Sequence, residues 1–212
     1  MHGPSLSVDQ KDAWNGFYLR NRWGWGGFAD ISWITRRLES GAKILELGTG
    51  NGKTFIPLCK KGYSCTGVDF SEVAVNQLRA GLSRISPNRC RVMVADVLKL
   101  PEDMREFDAV VMIHLLNHLS LKETEKLLLQ CTSLLGKGGL VFAEMFGPED
   151  MRVSGKETER GGIKYRYHTP EEITALDIKG LRTPEVTIIL RERRYGGKSG
   201  VRELLRFVWE RE

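Results

Sequence analysis

Three glycines at alternate positions follow a short apolar run in the first third of the chain. The stretch ILELGTGNGK, residues 44–53, places Gly48, Gly50 and Gly52 directly after that run, with the carboxylate of Glu46 inside it. Glycines at a strand-to-helix turn let a ligand approach the backbone closely, and the following helix presents free N–H groups. The pattern therefore predicts a nucleotide-like ligand at this turn.

The spacing of the glycines indicates which kinds of nucleotide the loop could bind. A dinucleotide site of the usual type reads GxGxxG, whereas this loop reads GxGxG. A P-loop requires GxxxxGK[ST], and the GKT at residues 52–54 has its preceding glycine, Gly48, one residue too close. The loop therefore argues against both a nicotinamide dinucleotide and ATP.

Two aspartates occupy positions where further ligand contacts are expected. Asp69 ends the second apolar run, TGVDF, about 20 residues after the glycines, where a carboxylate can accept both ribose hydroxyls. Asp96 follows the third run, VMVADV, and Val97 beside it offers a backbone N–H. The alternatives are a helix-capping role for Asp69 and a solvent-facing loop position for Asp96.

These features together resemble the class I S-adenosylmethionine-dependent methyltransferases. The family motif [D/E]xGxGxG stands here as Glu46-Leu-Gly48-Thr-Gly50-Asn-Gly52, and the resemblance extends over residues 42–145 in motif order. It implies S-adenosyl-L-methionine as cofactor, with Glu46 near its cationic end, although Glu46 could also be a buried structural carboxylate. The residues that the resemblance assigns to cofactor binding are Glu46, Gly48, Thr49, Gly50, Asp69, Phe70, Asp96, Val97 and Ile113.

The rest of the pattern predicts an α/β fold. Strand-like runs alternate with helix-like segments through residues 42–146, which is typical of a parallel sheet with right-handed crossovers. Two further strand-like runs flank the turn GGKSG and predict a terminal β-hairpin. We expect a Rossmann-like three-layer sandwich, with a mostly parallel twisted sheet, an antiparallel C-terminal hairpin and a helical N-terminal extension. Helix N-caps are predicted at Ser7 with Gln10, Ser71, Ser120 with Glu123, and Thr169 with Glu172.

This pattern also divides the chain. Residues 1–41 are interpreted as a helical N-terminal lid, whose second helix lies in FADISWITRRLES. Residues 42–212 are interpreted as the methyltransferase domain. Within it, residues 147–168 are polar and show no clear period, so they are expected to be a variable substrate loop.

Residues that could act on an acceptor lie outside the glycine motif. His114 follows the fourth strand at the mouth of the expected pocket and is the candidate catalytic general base, with a packing role as the alternative. Aromatic and cationic side chains near the lid and the polar loop could bind the acceptor; they could equally cover the cofactor or fill the core. The residues assigned to acceptor binding are Tyr18, Arg22, Trp23, Tyr165 and His168.

The sequence limits the methyl acceptor mainly by excluding some classes of nucleic-acid methyltransferase. The chain has no Asn/Asp-Pro-Pro-Tyr tetrad after the fourth strand and no Pro-Cys pair, so nucleic-acid enzymes that depend on those motifs match poorly. The flanks, including YHTPEEI, loosely resemble tRNA 3-methylcytidine methyltransferases. We therefore expect a methyltransferase acting by in-line displacement on a small molecule or an RNA. The alternatives are a cofactor-binding protein without transferase activity and a nucleotide-dependent oxidoreductase.

Composition sets the remaining expectations. The chain has 212 residues, of which 41% are hydrophobic and 28% are charged. Its net charge is +5, and positive and negative residues balance within residues 42–150, so the excess positive charge lies outside that range. The absence of a long apolar run predicts a cytoplasmic protein with no membrane segment. The four cysteines form no CxxC pair, which favours buried free thiols over a metal site or a disulfide. The oligomeric state is left open.

Overall fold

The fold is an open α/β sheet with helices on both faces. It was analysed in a computed structural model that describes residues 8–21, 27–82, 89–195 and 197–212. The helices are α1 (Val8–Arg20), α2 (Ser32–Thr35), α3 (Phe55–Lys60), α4 (Glu72–Leu82), α5 (Leu121–Leu134) and α6 (Pro170–Thr174). The strands are β1 (Lys43–Leu47), β2 (Ser64–Asp69), β3 (Cys90–Val94), β4 (Phe107–Ile113), β5 (Leu135–Phe146), β6 (Glu157–Arg160), β7 (Ile163–Arg166), β8 (Glu185–Tyr195) and β9 (Lys198–Glu210).

Seven strands form one sheet in the order β3-β2-β1-β4-β5-β9-β8. The first five run parallel, and β9 and β8 join as an antiparallel hairpin, with Phe146 of β5 paired to Leu204 of β9. The predicted architecture is confirmed, including the reversed C-terminal pair. The strand order reverses at β1 and β4, so ligand-binding groups gather at the carboxyl ends of these strands.

Local sequence determines where most helices begin. Ser120 and Glu123 form the predicted capping box of α5, and Thr169 with Glu172 does the same for α6. The hydroxyl of Ser71 accepts a hydrogen bond from the N–H of Ala74 at the start of α4. The predicted Ser7 cap lies outside the described residues. The Gln10 side chain hydrogen-bonds to the backbone of Gly162 and Lys164.

Two segments differ from the sequence-based expectation. Residues 147–168, expected to be a loop without regular structure, contain the antiparallel hairpin β6–β7, which turns at Gly161 and Gly162 with φ of 60° and 80°. The polar alternation of these short strands carries little hydrophobic signal, and the Gly-Gly turn was the feature that could have revealed them. The second lid helix is also shorter than predicted, because only Ser32–Thr35 is helical.

The core lies on both faces of the sheet. One cluster of buried side chains packs α5 and α6 against one face, and a second packs α2, α3 and α4 against the other. Trp209, Phe207, Phe142 and Phe55 are among the largest side chains that are fully buried. In the described part of the chain, no helix has both the length and the apolar character that a membrane span requires.

The cysteine prediction was wrong for two of the four residues. Cys59 at the end of α3 and Cys90 at the start of β3 form a disulfide, with Cα atoms 6.3 Å apart. Their separation of 31 residues hides this proximity from a search for CxxC spacing. The Sγ atom of Cys65 lies within 4.8 Å of both, so three cysteines form one buried cluster. Cys65 and Cys131 are buried free thiols, as predicted.

Candidate active site

The glycine loop after β1 forms the floor of a crevice at the carboxyl edge of the sheet. Gly48, Gly50 and Gly52 all have positive φ, at 71°, 52° and 87°, which a residue with a Cβ adopts only at a cost. A Cβ at Gly48 would lie 3.1 Å from the side chain of Leu115. A Cβ at Gly50 would lie 2.6 Å from the hydroxyl of Tyr18. The glycines therefore keep the backbone accessible in a space that side chains would fill.

Asp69 connects the glycine loop to the end of β2. One carboxylate oxygen accepts a hydrogen bond from the Gly50 N–H at 2.8 Å, and the other accepts one from the Ser71 N–H at 2.9 Å. Burial raises the pKa of Asp69 to about 6, against the lowering effect of these backbone N–H groups. Each carboxylate oxygen retains a second lone pair, so two hydroxyl donors can still be accepted. Phe70 follows, half-buried.

Two buried oxygen atoms beside the loop have no hydrogen-bond partner among the described residues. They are Oε2 of Glu46, inside β1, and Oγ1 of Thr49, between the first two glycines. Burial and the nearby charge of Asp69 hold the pKa of Glu46 well above its usual range. A buried acceptor without a donor is costly, so a ligand that brings a cationic N–H group fits this position.

The remaining residues predicted to bind cofactor line the next two strand ends. A carboxylate oxygen of Asp96 accepts a hydrogen bond from the Leu98 N–H at 2.9 Å, which fixes the turn after β3, and the aspartate is half-buried. Val97 is buried beside it, and Ile113 is the last residue of β4. All of them lie at strand ends or turns on the carboxyl edge of the sheet.

His114 occupies a strained turn directly after β4. Its φ is 58°, and its N–H donates to the Glu144 carbonyl oxygen at 2.6 Å. Its ring stacks on Phe146 with centroids 4.0 Å apart, and its buried Nδ1 has no partner among the described residues. Burial, followed by the charges of Arg202 and Arg152, lowers the pKa of His114 to about 3. The imidazole is therefore neutral near pH 7 and can accept a proton, as a weak base.

Helix α1 covers the crevice. Its Asn15 side-chain oxygen accepts a hydrogen bond from the Ser71 hydroxyl at 2.7 Å, and the Tyr18 carbonyl accepts one from the Gln77 amide at 2.9 Å. Lys11 forms an ion pair with Glu72 at 2.8 Å. On its other side, α1 reaches the β6–β7 hairpin through Gln10. Residues predicted as a lid therefore contact both α4 and β7.

The structure brings together only some of the residues predicted to bind an acceptor. Tyr18 is buried over the glycine loop, and Tyr165 contacts the edge of the His118 ring with centroids 4.8 Å apart. His168 is buried elsewhere, with Nε2 at 2.9 Å from the Leu119 carbonyl oxygen. Arg22 and Trp23 lie outside the described residues, so their roles stay predictions.

Sequence reasoning missed several residues around His114. The fully buried side chain of Asn117 donates hydrogen bonds to the carbonyl oxygens of Phe146 and Arg166 and accepts one from the Phe146 N–H. It therefore joins the segment after β4 to β5 and β7. Phe146, Asp150, Arg152 and Arg202 also contact one another there. In the sequence, Phe146, Asp150 and Arg152 lie in the run MFGPEDMR at and after the end of the fifth strand, and this run contains no recognisable motif.

Comparisons with known proteins agree with this geometry. The family model of a methyltransferase domain matches residues 44–139. The chain is 31% identical over 153 residues to the tRNA N(3)-methylcytidine methyltransferase Mettl2 of Drosophila melanogaster, covering 63% of this chain and 46% of that protein. It is 30% identical over 116 residues to the ubiquinone biosynthesis O-methyltransferase of Pseudomonas syringae pv. tomato, covering 53% and 48% respectively. The chain thus spans less than half the length of these two curated relatives.

Solved structures share the fold at low sequence identity. The structure of the 1,6-didemethyltoxoflavin-N1-methyltransferase from Burkholderia thailandensis, solved with 1,6-didemethyltoxoflavin and S-adenosylhomocysteine, aligns with a TM-score of 0.74 and 19% identity. That alignment covers 100% of this chain and 93% of the other. At this identity the likeness establishes the fold alone.

Proposed function

We propose that the protein is a class I S-adenosylmethionine-dependent methyltransferase, from the premise that residues 44–139 match the model of a methyltransferase domain. One observation carries the proposal. Asp69 accepts a hydrogen bond from the Gly50 N–H, and beside it the buried oxygen atoms Oε2 of Glu46 and Oγ1 of Thr49 have no hydrogen-bond donor among the described residues. Those groups fit the ribose hydroxyls and the cationic amino group of this cofactor. The crevice therefore has the donors and acceptors that the cofactor needs.

The residues that would hold the cofactor have separate tasks. Asp69 would accept the ribose hydroxyls, Glu46 and Thr49 would accept from the amino group, and Asp96 with Val97 would contact the adenine. When bound, S-adenosylmethionine supplies a methyl group on a sulfonium sulfur, which is a good leaving group. The protein then needs mainly to align an acceptor, exclude water and, where needed, remove a proton.

Residues of this chain are placed for those remaining tasks. Tyr18 and α1 close the crevice over the glycine loop and exclude water. His114, with a neutral ring and an unpaired Nδ1, could accept a proton from an acceptor hydroxyl or amine. Asn117 holds the strand ends and the β6–β7 hairpin in register around this position.

Titration calorimetry tests the cofactor assignment. S-adenosylmethionine and S-adenosylhomocysteine should both bind with one-to-one stoichiometry, and Asp69→Asn should weaken both. NAD should not bind. Saturable binding of NAD in place of the two adenosyl ligands would contradict the proposal and support an oxidoreductase.

Transfer activity needs its own measurement. Incubation with S-adenosylmethionine labelled in the methyl group and a fractionated cell extract should move label into one fraction. Label in RNA would support an RNA acceptor, as in the name of the Drosophila relative. Label in small molecules would support a small-molecule acceptor, as in the name of the ubiquinone biosynthesis O-methyltransferase. Binding without label in any fraction would support a cofactor-binding protein that transfers nothing. A cytoplasmic location is part of this proposal and is tested by cell fractionation.

A further inference from the structure

A cluster of charged residues lies beyond His114, and the proposed reaction has not used it. The side chain of Asp150 is fully buried, and its two carboxylate oxygens accept from Nε of Arg152 at 3.0 Å and Nε of Arg202 at 2.5 Å. These three residues are called the arginine cluster here. Because one carboxylate faces two guanidinium groups, the cluster carries one excess positive charge.

The outer ends of both guanidinium groups remain available. Within the described ranges, neither Arg152 nor Arg202 donates a side-chain hydrogen bond from a terminal Nη atom, although a guanidinium carries five N–H donors. The side chains are 20% and 21% exposed, so part of each guanidinium-bearing chain is accessible to solvent. Asp150 thus fixes two guanidinium groups through their Nε atoms and leaves their terminal N–H groups without a partner among the described residues.

An aromatic surface accompanies these donors. The guanidinium carbons of Arg152 and Arg202 lie 4.1 Å and 4.6 Å from the centroid of the Phe146 ring, and the His114 ring stacks on the same ring. His114 adjoins Leu115, whose side chain would contact a Cβ on Gly48. The arginine cluster is therefore linked to the glycine loop through Phe146, His114 and the next residue in the chain, Leu115.

Neighbouring acids do not cancel the excess charge. Glu144 pairs with Arg206 at 2.7 Å, so that pair is neutral. Glu203 follows Arg202 in β9, so its side chain lies on the opposite face of the strand, where it accepts from the Glu149 N–H. The two arginines are also among the charges that keep His114 neutral.

We propose that Arg152 and Arg202 form a subsite for the oxyanion of a small planar acceptor, a carboxylate or a phosphate monoester, which stacks near Phe146. The inference rests on the proposed methyltransferase function and names its substrate class. Paired guanidinium forks match a planar oxyanion geometrically, and preorganisation by Asp150 reduces the entropy lost on binding. The subsite would orient the acceptor so that its nucleophilic atom faces the crevice beside His114.

A small acid suits this subsite better than an RNA backbone. The excess is a single positive charge, held on two guanidinium groups that share one buried carboxylate. A single oxyanion balances that charge, whereas the arginine cluster offers no further cation to the successive phosphates of an RNA backbone. The RNA acceptor is therefore an outcome that the experiment must be able to report.

The test uses matched ligands on the full chain saturated with S-adenosylhomocysteine. Benzoate and phenyl phosphate carry the oxyanion on a planar ring, and benzamide and phenol are their neutral counterparts. Titration calorimetry is expected to give benzoate or phenyl phosphate at least about 10-fold tighter binding than the neutral partner, as for a charge-assisted hydrogen bond. The tighter of the two anions then identifies the acid.

Variants separate this subsite from general charge effects. Arg202→Gln should abolish the preference for the anion, Arg202→Lys should restore part of it, and Arg182→Gln should leave it unchanged because Arg182 pairs with Glu210 on an exposed surface. S-adenosylhomocysteine affinity should stay within about two-fold in all three. Circular dichroism checks folding, and Arg152→Gln replaces Arg202→Gln if the latter unfolds.

The outcomes are distinguishable. Equal binding of anionic and neutral ligands, no binding of any of the four, or an anion preference that survives both Arg202→Gln and Arg152→Gln overturns the subsite. Salt-sensitive RNA binding that Arg202→Gln weakens, without benzoate or phenyl phosphate binding, overturns it in favour of an RNA contact. Failure of S-adenosylhomocysteine to bind the wild-type chain would instead contradict the proposed function.

Discussion

The two sides of the carboxyl edge of the sheet are built in different ways. At β1 and β2, the groups that face a ligand come largely from the backbone and from acids close to it in sequence, as in the bond between Gly50 and Asp69, 19 residues apart. At β5 and β9, the groups are side chains joined across long separations, such as Asp150 with Arg202, 52 residues apart. The first is called the glycine side below, and the second the arginine side.

This difference has a physical basis. A backbone loop presents the same N–H groups whatever its neighbours are, provided that no Cβ fills the space, so a short motif determines the glycine side. An arginine is useful only where another segment holds it, so the arginine side depends on the packing of β5, β9 and the loop between β5 and β6. The glycine side is therefore specified by a short motif, whereas the arginine side changes with any substitution that alters the packing around it.

Asp69→Asn tests the glycine side through pH and should have the largest effect. Burial raises the pKa of Asp69 from 3.8 to about 6, so the folded protein holds a proton that the unfolded chain releases in this window. Stability that Asp69 contributes at low pH is therefore lost as pH rises from about 4 to about 6, by up to about 3 kcal/mol. The asparagine variant lacks this loss.

Urea unfolding of both proteins at a series of pH values measures the effect. The free energy of unfolding of Asp69→Asn relative to wild type should increase through the window and level off above it. Glu46, whose pKa shifts in the same direction, is present in both proteins; burial raises its pKa in both, and the smaller effect of the Asp69 charge is absent from Asp69→Asn. A difference that is independent of pH would show that Asp69 is not desolvated as described.

Gly50→Ala should be next in size. The added methyl would lie 2.6 Å from the Tyr18 hydroxyl at a φ of 52°, so it would fill the crevice and weaken S-adenosylhomocysteine binding by about 100-fold. Gly41→Ala is the matched control, because Gly41 also has a positive φ, of 81°, but a Cβ there meets nothing within 4 Å. Both variants should lose about 1–2 kcal/mol of stability, and only the first should lose affinity in calorimetry.

His114→Ala tests the boundary between the two sides. We expect turnover to fall about 30-fold, below the usual range for acid–base catalysis, because a pKa of about 3 makes His114 a weak base. Cofactor affinity should not change. Single-turnover transfer of labelled methyl to the active extract fraction measures the rate, and a wild-type rate would assign His114 a packing role.

Asn15→Ala should give the smallest effect. It removes the hydrogen bond between α1 and Ser71, worth about 1 kcal/mol, and should speed S-adenosylhomocysteine release about 5-fold. Lys11→Met removes an ion pair that is partly exposed on both partners, so it serves as the control with little change. Stopped-flow fluorescence of the tryptophans follows release, and equal rates in both variants would show that the hydrogen bond does not hold α1.

The sequence was sufficient for the glycine side and insufficient for the arginine side. The alternation of strands and helices, the capping boxes at Ser120 and Thr169 and the positions of Gly50 and Asp69 at strand ends all follow from local patterns. Arg202 was not predicted, because its role depends on Asp150, which no sequence spacing identifies. The β6–β7 hairpin was missed because its strands have only four residues each and β6, ETER, contains no apolar residue, so they give little hydrophobic signal.

Helix α1 touches the glycine side through Ser71 next to Asp69, and it touches the β6–β7 hairpin through Gly162 and Lys164. That hairpin in turn reaches the arginine side, because Arg160 donates a hydrogen bond to the carbonyl oxygen of Arg152. A single movement of this helix would then open the way out for the spent cofactor and for the methylated product alike. The two molecules should consequently leave at related rates, and a slow product would lengthen the stay of the other. The turnover rate would then depend on the mobility of α1 as well as on the methyl-transfer step. Measuring the release rates of both products in parallel would reveal this dependence.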